Sequence, residues 1–153
     1  MLVAVQMRGV FAHWKEALLP VALVLAVSLG AGIALNGREG AYKESVGSIV
    51  GALWLIAPVY IGWRVAAAQG KLAQASAAGV VFGFAGEVLF YALSIAGAAA
   101  GLFGVPVNVA LVNGWKVAEG VGLQAAIGAV RAGALAALGA LAAIFGAKMK
   151  EAE

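Results

Sequence analysis

Four long stretches of apolar residues, separated by short polar segments, constrain this chain more than any other feature of its sequence. They run from Leu18 to Leu35, Val46 to Trp63, Ala77 to Phe103 and Val121 to Ala147. A helix needs about 20 apolar residues to cross the hydrocarbon of a bilayer, because each residue advances the helix by about 1.5 Å. The stretches therefore predict four transmembrane helices.

The overall composition supports the same conclusion. Hydrophobic residues make up 64% of the 153 residues and charged residues 11%, against about 45–50% and about 25% in soluble domains. A chain of this size has too little interior to hide so many apolar side chains from water. Open sheets would leave backbone groups unpaired in lipid, and the alternation typical of barrel strands is absent. We predict a single all-α transmembrane domain over residues 1–153, with short loops.

Residues 1–17, ahead of the first apolar stretch, allow two interpretations. They mix charged residues with Phe11 and Trp14, which is typical of an amphipathic helix lying on the membrane surface. The alternative is a signal peptide with Leu18 to Leu29 as its apolar core. We favour a surface helix that is retained in the protein.

Lys and Arg residues are distributed unevenly between the two predicted sides of the membrane. One side holds six, which are Arg8, Lys15, Arg64, Lys71, Lys148 and Lys150. The other side holds three, which are Arg38, Lys43 and Lys116. Because cytoplasmic segments are enriched in Lys and Arg, we predict a multi-pass protein of the cell membrane with both termini in the cytoplasm.

Three tryptophans and one ambiguous segment mark the predicted membrane surfaces. Trp14, Trp63 and Trp115 stand next to charged residues, and tryptophan is enriched at the level of the lipid headgroups. The segment 105–120 begins apolar and becomes polar around Trp115. We predict a loop there, with a surface helix or a re-entrant segment as the alternatives.

Many of the 22 glycines lie inside the apolar stretches. Pairs spaced by four are Gly47 and Gly51, Gly79 and Gly83, and Gly97 and Gly101, while Gly128 and Gly133 lie in the fourth stretch. Small residues let helices approach closely in lipid. The glycines predict helix packing within one bundle or lateral assembly of several copies. Small residues around almost the whole fourth stretch favour assembly.

Two charged residues fall deep inside the apolar stretches, Glu87 in the third and Arg131 in the fourth. A charge near the bilayer centre costs at least about 2.5–3.5 kcal/mol, so such residues usually face protein or water and have a partner. Residues three, four and seven apart share a helix face. Glu87 thus shares a face with Tyr91 and Ser94, and Arg131 shares one with Gln124.

Three interpretations of Glu87 and Arg131 stay open at this point. The two residues form a structural ion pair, directly or through Tyr91; or they reach towards an interface; or Glu87 is a protonatable or ion-binding site in a conduction path. Antiparallel packing of the third and fourth helices would put the two charges about 10 Å apart in depth. Tyr91 and Ser94 are expected to occupy that gap.

Several classes of site are excluded by composition. The chain has no cysteine and one histidine, His13, which excludes disulfides, thiolate metal sites and clusters of histidine ligands. We predict no metal site and no cofactor. Basic residues are spread between apolar stretches, so nucleic acid is not expected as a partner. Enzymatic function is disfavoured, because the chain lacks the usual catalytic side chains.

Two segments resemble known families. Phe84 to Tyr91, with Glu87 inside it, resembles the proton-carrying helix of rotary ATPase proteolipids, and the match covers about one helix. The unit from Gly47 to Phe103 is similar in layout to conjugative-pilus subunits, with an apolar helix, a short basic turn containing Arg64 and Lys71, and a glycine-rich apolar helix. This likeness would imply a filament subunit packed with lipid. Neither resemblance assigns a role to a residue.

The leading functional hypothesis is a non-catalytic membrane subunit that assembles laterally through Gly- and Ala-rich helix faces. Its expected partners are the lipid bilayer and either further copies of itself or other membrane subunits. The alternative is a small transporter or channel subunit that moves protons, ions or a small solute past Glu87 and Arg131. A pilus-like filament subunit is a further alternative.

Overall fold

The computed structural model describes residues 9–36, 40–102 and 107–151, and the regular elements within these ranges are all helices. Side chains are described there except at 41–43, 107–119 and 151. A 3-10 helix, Trp14–Ala17, is followed by α1 (Leu18–Ala34), α2 (Ala41–Ala67), α3 (Leu72–Ala99) and α4 (Val107–Glu151).

Each of the four helices is long and apolar enough to cross a membrane. The candidate spans are Trp14–Ala34, Glu44–Ala67, Leu72–Ala99 and Gly120–Lys150. The prediction of an all-α membrane bundle with about four transmembrane helices is therefore confirmed.

The start of α3 lies five residues before the predicted stretch, because polar side chains stabilise the additional turn. The Lys71 backbone N–H donates to Gln74 Oε1 at 2.8 Å, which satisfies one of the free backbone groups at the helix start. The Gln74 amide also donates to the Gly9 carbonyl at 2.8 Å. This residue thus joins the N-terminal segment to the α2–α3 turn.

The expected loop at 105–120 is wrong for the residues from Val107 onward, which form the first part of α4. One glycine costs a helix about 1 kcal/mol, so Gly114 alone does not stop it between apolar helical segments. The side chain of Trp115 lies outside the described side chains, so its position at the membrane surface stays a prediction.

The helices pack in a defined order. The contact between α3 and α4 is the most extensive, and α2 contacts α1, α3 and α4. In the described part of the chain, α1 and α4 do not contact each other. The pair α2 and α3 therefore lies between α1 on one side and α4 on the other.

Residues 9–17 pack at the end of the bundle that holds the α2–α3 turn. Glu16 Oε2 lies 3.6 Å from Arg64 Nε, and backbone hydrogen bonds link Trp14 to Phe11 and Glu16 to His13. The side chains of Trp14 and Trp63 are exposed at this end. Residues 1–8 of the predicted surface helix lie outside the described residues.

Candidate functional site

The contact between α3 and α4 depends on glycines. A Cβ atom at Gly83 would lie 2.6 Å from the carbonyl carbon of Gly128, and one at Gly79 would lie 2.6 Å from Ala136 Cβ. A Cβ at Gly133 would lie 2.8 Å from the Val80 side chain of α3. Real Cβ atoms do not approach other atoms so closely, so a larger residue at Gly79 or Gly83 would have to move a helix, and one at Gly133 would have to displace Val80.

A second close contact, between α2 and α4, was not predicted from the sequence. A Cβ at Gly62 would meet the Ala136 backbone, and one at Gly139 would meet the Val59 backbone. Gly139 lies with Gly128 and Gly133 among the small residues of the fourth stretch, which already indicated packing, whereas Gly62 belongs to no glycine pair spaced by four and was not predicted.

The other predicted packing glycines have different surroundings. No atom lies within 4 Å of the position that a Cβ would take at Gly47, Gly51 or Gly101, while Gly97 is buried. Gly101 has a φ of 76° and stands just beyond the end of α3, where a left-handed glycine commonly terminates a helix. Gly47 and Gly51 leave a small-residue surface on α2 that no residue of the described chain contacts.

The two intramembrane charges meet directly, with Arg131 Nη2 3.5 Å from Glu87 Oε1. Gly79 contacts Ala132 and Gly83 contacts Gly128, so α3 and α4 run antiparallel. Continued along the helices, this register puts the backbones of Glu87 and Arg131 about 10 Å apart in depth.

The long side chains close that gap because of their direction. Side chains of an α-helix lean towards its N-terminus, so in an antiparallel pair Glu87 and Arg131 lean towards each other. Gly128 lies beneath the carboxylate, since a Cβ there would be 2.7 Å from Glu87 Cγ. The expectation that Tyr91 and Ser94 fill the gap is wrong, because both follow Glu87 on the side of α3 that leads away from Arg131.

The two partners of this ion pair differ in exposure. The Glu87 side chain is 18% exposed and the Arg131 side chain 47% exposed. Gln124, two turns before Arg131 on the same face of α4, is also exposed. Tyr91 and Ser94 are half-buried, and the Tyr91 ring contacts the Phe90 ring. The surface of α4 thus carries an exposed cation, which reaches Glu87, and an exposed amide.

An open cleft of about 370 Å³ lies beside the ion pair. Its lining residues come from three helices and are Gly51, Trp54, Leu55, Glu87, Phe90 and Arg131. We call it the Glu87–Arg131 cleft. Apart from the two charged side chains and the indole nitrogen of Trp54, its lining is apolar.

Trp54 positions one wall of this cleft and was not recognised in the sequence. Its Nε1 donates to Ser28 Oγ at 3.1 Å, and its ring contacts Phe82 and Phe90 edge to face at 5.8 and 6.1 Å. A Cβ at Gly86 would lie 2.8 Å from the indole. Trp54 therefore joins α1, α2 and α3. The sequence does contain one signal of this role: Trp54 lies in the middle of an apolar stretch, away from both predicted membrane surfaces.

The distribution of small residues on α4 corrects one argument for assembly. The buried alanines face the bundle and are Ala125, Ala129, Ala132, Ala136 and Ala140. The exposed surface instead carries large apolar side chains, which include Leu123, Ile127, Val130, Leu138 and Phe145. Small residues are therefore concentrated on the buried face of α4, although Ala126, Ala134 and Ala142 are exposed among the large side chains.

The described side chains contain no group of three or more His, Cys, Asp or Glu residues close enough to hold a metal ion. The cleft offers one carboxylate and one guanidinium, which can bind or orient a polar group. Comparisons of the chain with protein families, with curated proteins and with solved structures find no match. The helices define the class as a multi-pass membrane protein.

Proposed function

We propose that this chain is a non-catalytic subunit of a larger membrane assembly, in which a helix from a further subunit covers the Glu87–Arg131 cleft. The observation that carries the proposal is the Arg131 side chain, which lies deep in a candidate span and is 47% exposed. Exposure of this kind means contact with lipid unless another protein surface is present.

The chemistry of arginine explains why a cover is needed. A guanidinium carries five N–H donors, and among the described residues its one ionic partner is Glu87. Lipid tails offer no acceptors, and a charge near the bilayer centre is costly even on the mildest scales. A neighbouring helix with hydroxyl, carboxamide or carbonyl oxygens would satisfy the remaining donors and would also reach the exposed Gln124 amide.

The opposite wall of the cleft favours a helix as the cover. Gly51 lines the cleft and Gly47 lies one turn before it on α2, and a Cβ at either position would meet no atom of another helix within 4 Å in the described chain. Small residues at this spacing permit close backbone contact between helices in lipid. The cleft therefore combines polar groups that need partners with a surface that a helix can approach.

A transport function receives less support from the geometry. A conduction path needs polar groups that continue from Glu87 towards both ends of the helices. The neighbouring residues in the cleft are Gly51, Leu55 and Phe90, and these side chains cannot replace a hydration shell.

The proposed subunit has both termini on the cytoplasmic side. Arg64, Lys71, Lys148 and Lys150 all belong to the end of the bundle that holds the α2–α3 turn and the last turn of α4, and Lys and Arg are enriched in cytoplasmic segments. Since the chain has no cysteine, a single cysteine at Gln69 should be labelled by impermeant reagents from the cytoplasmic side only. Labelling from the opposite side would show that the protein has the opposite orientation in the membrane.

Gly51→Leu tests the assembly directly. The leucine side chain would enter the cleft, where no atom lies within 4 Å of its Cβ, so we expect the fold to persist and the association to be lost. In mild detergent, native mass spectrometry should find the wild-type chain in species larger than its own 15.2 kDa and Gly51→Leu at the mass of one chain.

Ala52→Leu is the matched control, because Ala52 is exposed on the neighbouring surface of α2. This variant should keep the wild-type mass distribution. Cross-linking in native membranes should give the same ranking of the three proteins. A wild-type chain that is strictly monomeric in both experiments, or a Gly51→Leu variant that assembles normally, would contradict the proposal.

A further inference from the structure

We infer that a groove between α2 and α4 binds one anionic phospholipid, and this inference does not depend on the proposed assembly. The groove has a volume of about 510 Å³ and lies far from the Glu87–Arg131 cleft along both helices. Its lining residues are Trp63, Ala66 and Ala67 from α2 and Ala143, Ile144, Ala147 and Lys148 from α4. We call it the Lys148 groove.

Small side chains on both helices create the groove. Ala66 and Ala67 face Ala143 and Ala147, and alanine side chains are too small to fill the space between the two helices. In a bilayer, an apolar space of this kind is filled by an acyl chain, because lipid tails are the surrounding solvent. The walls therefore match the apolar part of an amphiphile.

A cation stands at the outer end of the groove. Lys148 follows Ile144 by one turn on the same face of α4, so the groove leads from apolar walls to an ammonium group near the end of the helix. Trp63, which is half exposed, lies on the opposite wall, and tryptophan is typical of headgroup depth. An apolar groove with a cation at headgroup depth is complementary to a phosphate that carries acyl chains.

Among the described side chains, no ion pair holds Lys148. Arg64, next to Trp63 in sequence, is paired with Glu16 at 3.6 Å. The described residues that line the groove include no acidic side chain. A free phosphate would satisfy Lys148 but would leave the apolar walls unused, so the geometry favours a phospholipid over a soluble anion.

The test is lipid binding by the purified full chain in detergent, measured by native mass spectrometry during titration with phosphatidylglycerol or phosphatidylcholine. We expect tighter binding of phosphatidylglycerol. Lys148→Gln should weaken the binding of phosphatidylglycerol about fivefold, the effect of one basic residue near a membrane surface. Ala147→Leu, which fills the groove, should reduce the binding of both lipids.

Lys150→Gln is the control for general surface charge. It removes the same charge two residues away, on a different face of α4, and should leave phosphatidylglycerol binding unchanged. Inorganic phosphate at the same concentration should not displace the bound lipid. Equal losses for Lys148→Gln and Lys150→Gln, equal binding of the two lipids by the wild type, or displacement by phosphate would each overturn the inference. Loss of subunit assembly with intact lipid selectivity would contradict only the proposed function.

Discussion

Arg131→Gln is expected to destabilise the folded protein by about 3 kcal/mol or more, the loss typical of removing one partner of an ion pair that water does not reach. The variant leaves the Glu87 carboxylate, 18% exposed, without its cation in a medium that cannot solvate it. Reversible unfolding in mixed detergent micelles, followed by circular dichroism at increasing fractions of sodium dodecyl sulfate, would measure the loss.

Arg64→Gln is the matched control. Arg64 also pairs with a glutamate, at 3.6 Å, but it lies at the end of α2, where water and headgroups can solvate the remaining Glu16. The expected loss is within about 1 kcal/mol, as for other solvated ion pairs.

The double variant Glu87→Gln with Arg131→Gln separates charge from shape. Two neutral carboxamides leave no charge in hydrocarbon, so the double variant should be more stable than Arg131→Gln alone. Similar losses for Arg131→Gln and Arg64→Gln, or a double variant no better than the single one, would show that the depth of the pair has no energetic consequence.

The transmembrane helices could be predicted from the sequence because the decisive quantity is local. A stretch of roughly 20 predominantly apolar residues spans lipid whatever its neighbours are, and this identifies each of the four spans. The positions of helix ends depend on more than the apolar composition of a stretch. The start of α3 depends on a hydrogen bond between Lys71 and Gln74, and the start of α4 at Val107 depends on a helix that continues through Gly114.

The candidate site could be predicted only in part, because its geometry depends on which surfaces meet. Glu87 and Arg131 are conspicuous as charges in apolar stretches, and an antiparallel arrangement accounts for the offset of their backbones. The missing step was the direction of the side chains, which brings the two charges together over Gly128.

The spacing of glycines likewise predicts only part of the helix packing. Gly47 and Gly51 have the spacing of Gly79 and Gly83, yet among the described residues the second pair meets another helix and the first pair does not. Spacing identifies a surface that a helix can approach, whereas the arrangement of the bundle decides whether a helix is present there.

Gly83→Ala is expected to destabilise the protein by about 2 kcal/mol, within the range for overfilled packing. Its Cβ would lie 2.6 Å from the Gly128 carbonyl carbon, and a backbone atom cannot move aside without separating α3 from α4. At Gly86 the neighbouring atoms belong instead to the Trp54 ring, at 2.8 Å. A small shift of one ring disturbs the bundle less than separation of two helices, so Gly86→Ala should cost less.

Gly47→Ala completes the series, because its Cβ would meet nothing within 4 Å and alanine favours a helix over glycine. It should cause no loss of stability in the isolated chain. The same unfolding experiment should therefore rank the three variants by what each Cβ meets: backbone at Gly83, a side chain at Gly86, and open space at Gly47. Equal gains in stability at Gly83 and Gly47 would mean that both substitutions act through helix propensity alone. The predicted ranking would mean that position 83 requires glycine because α3 and α4 are in contact there. It would also mean that position 47 does not require glycine for the stability of the isolated chain.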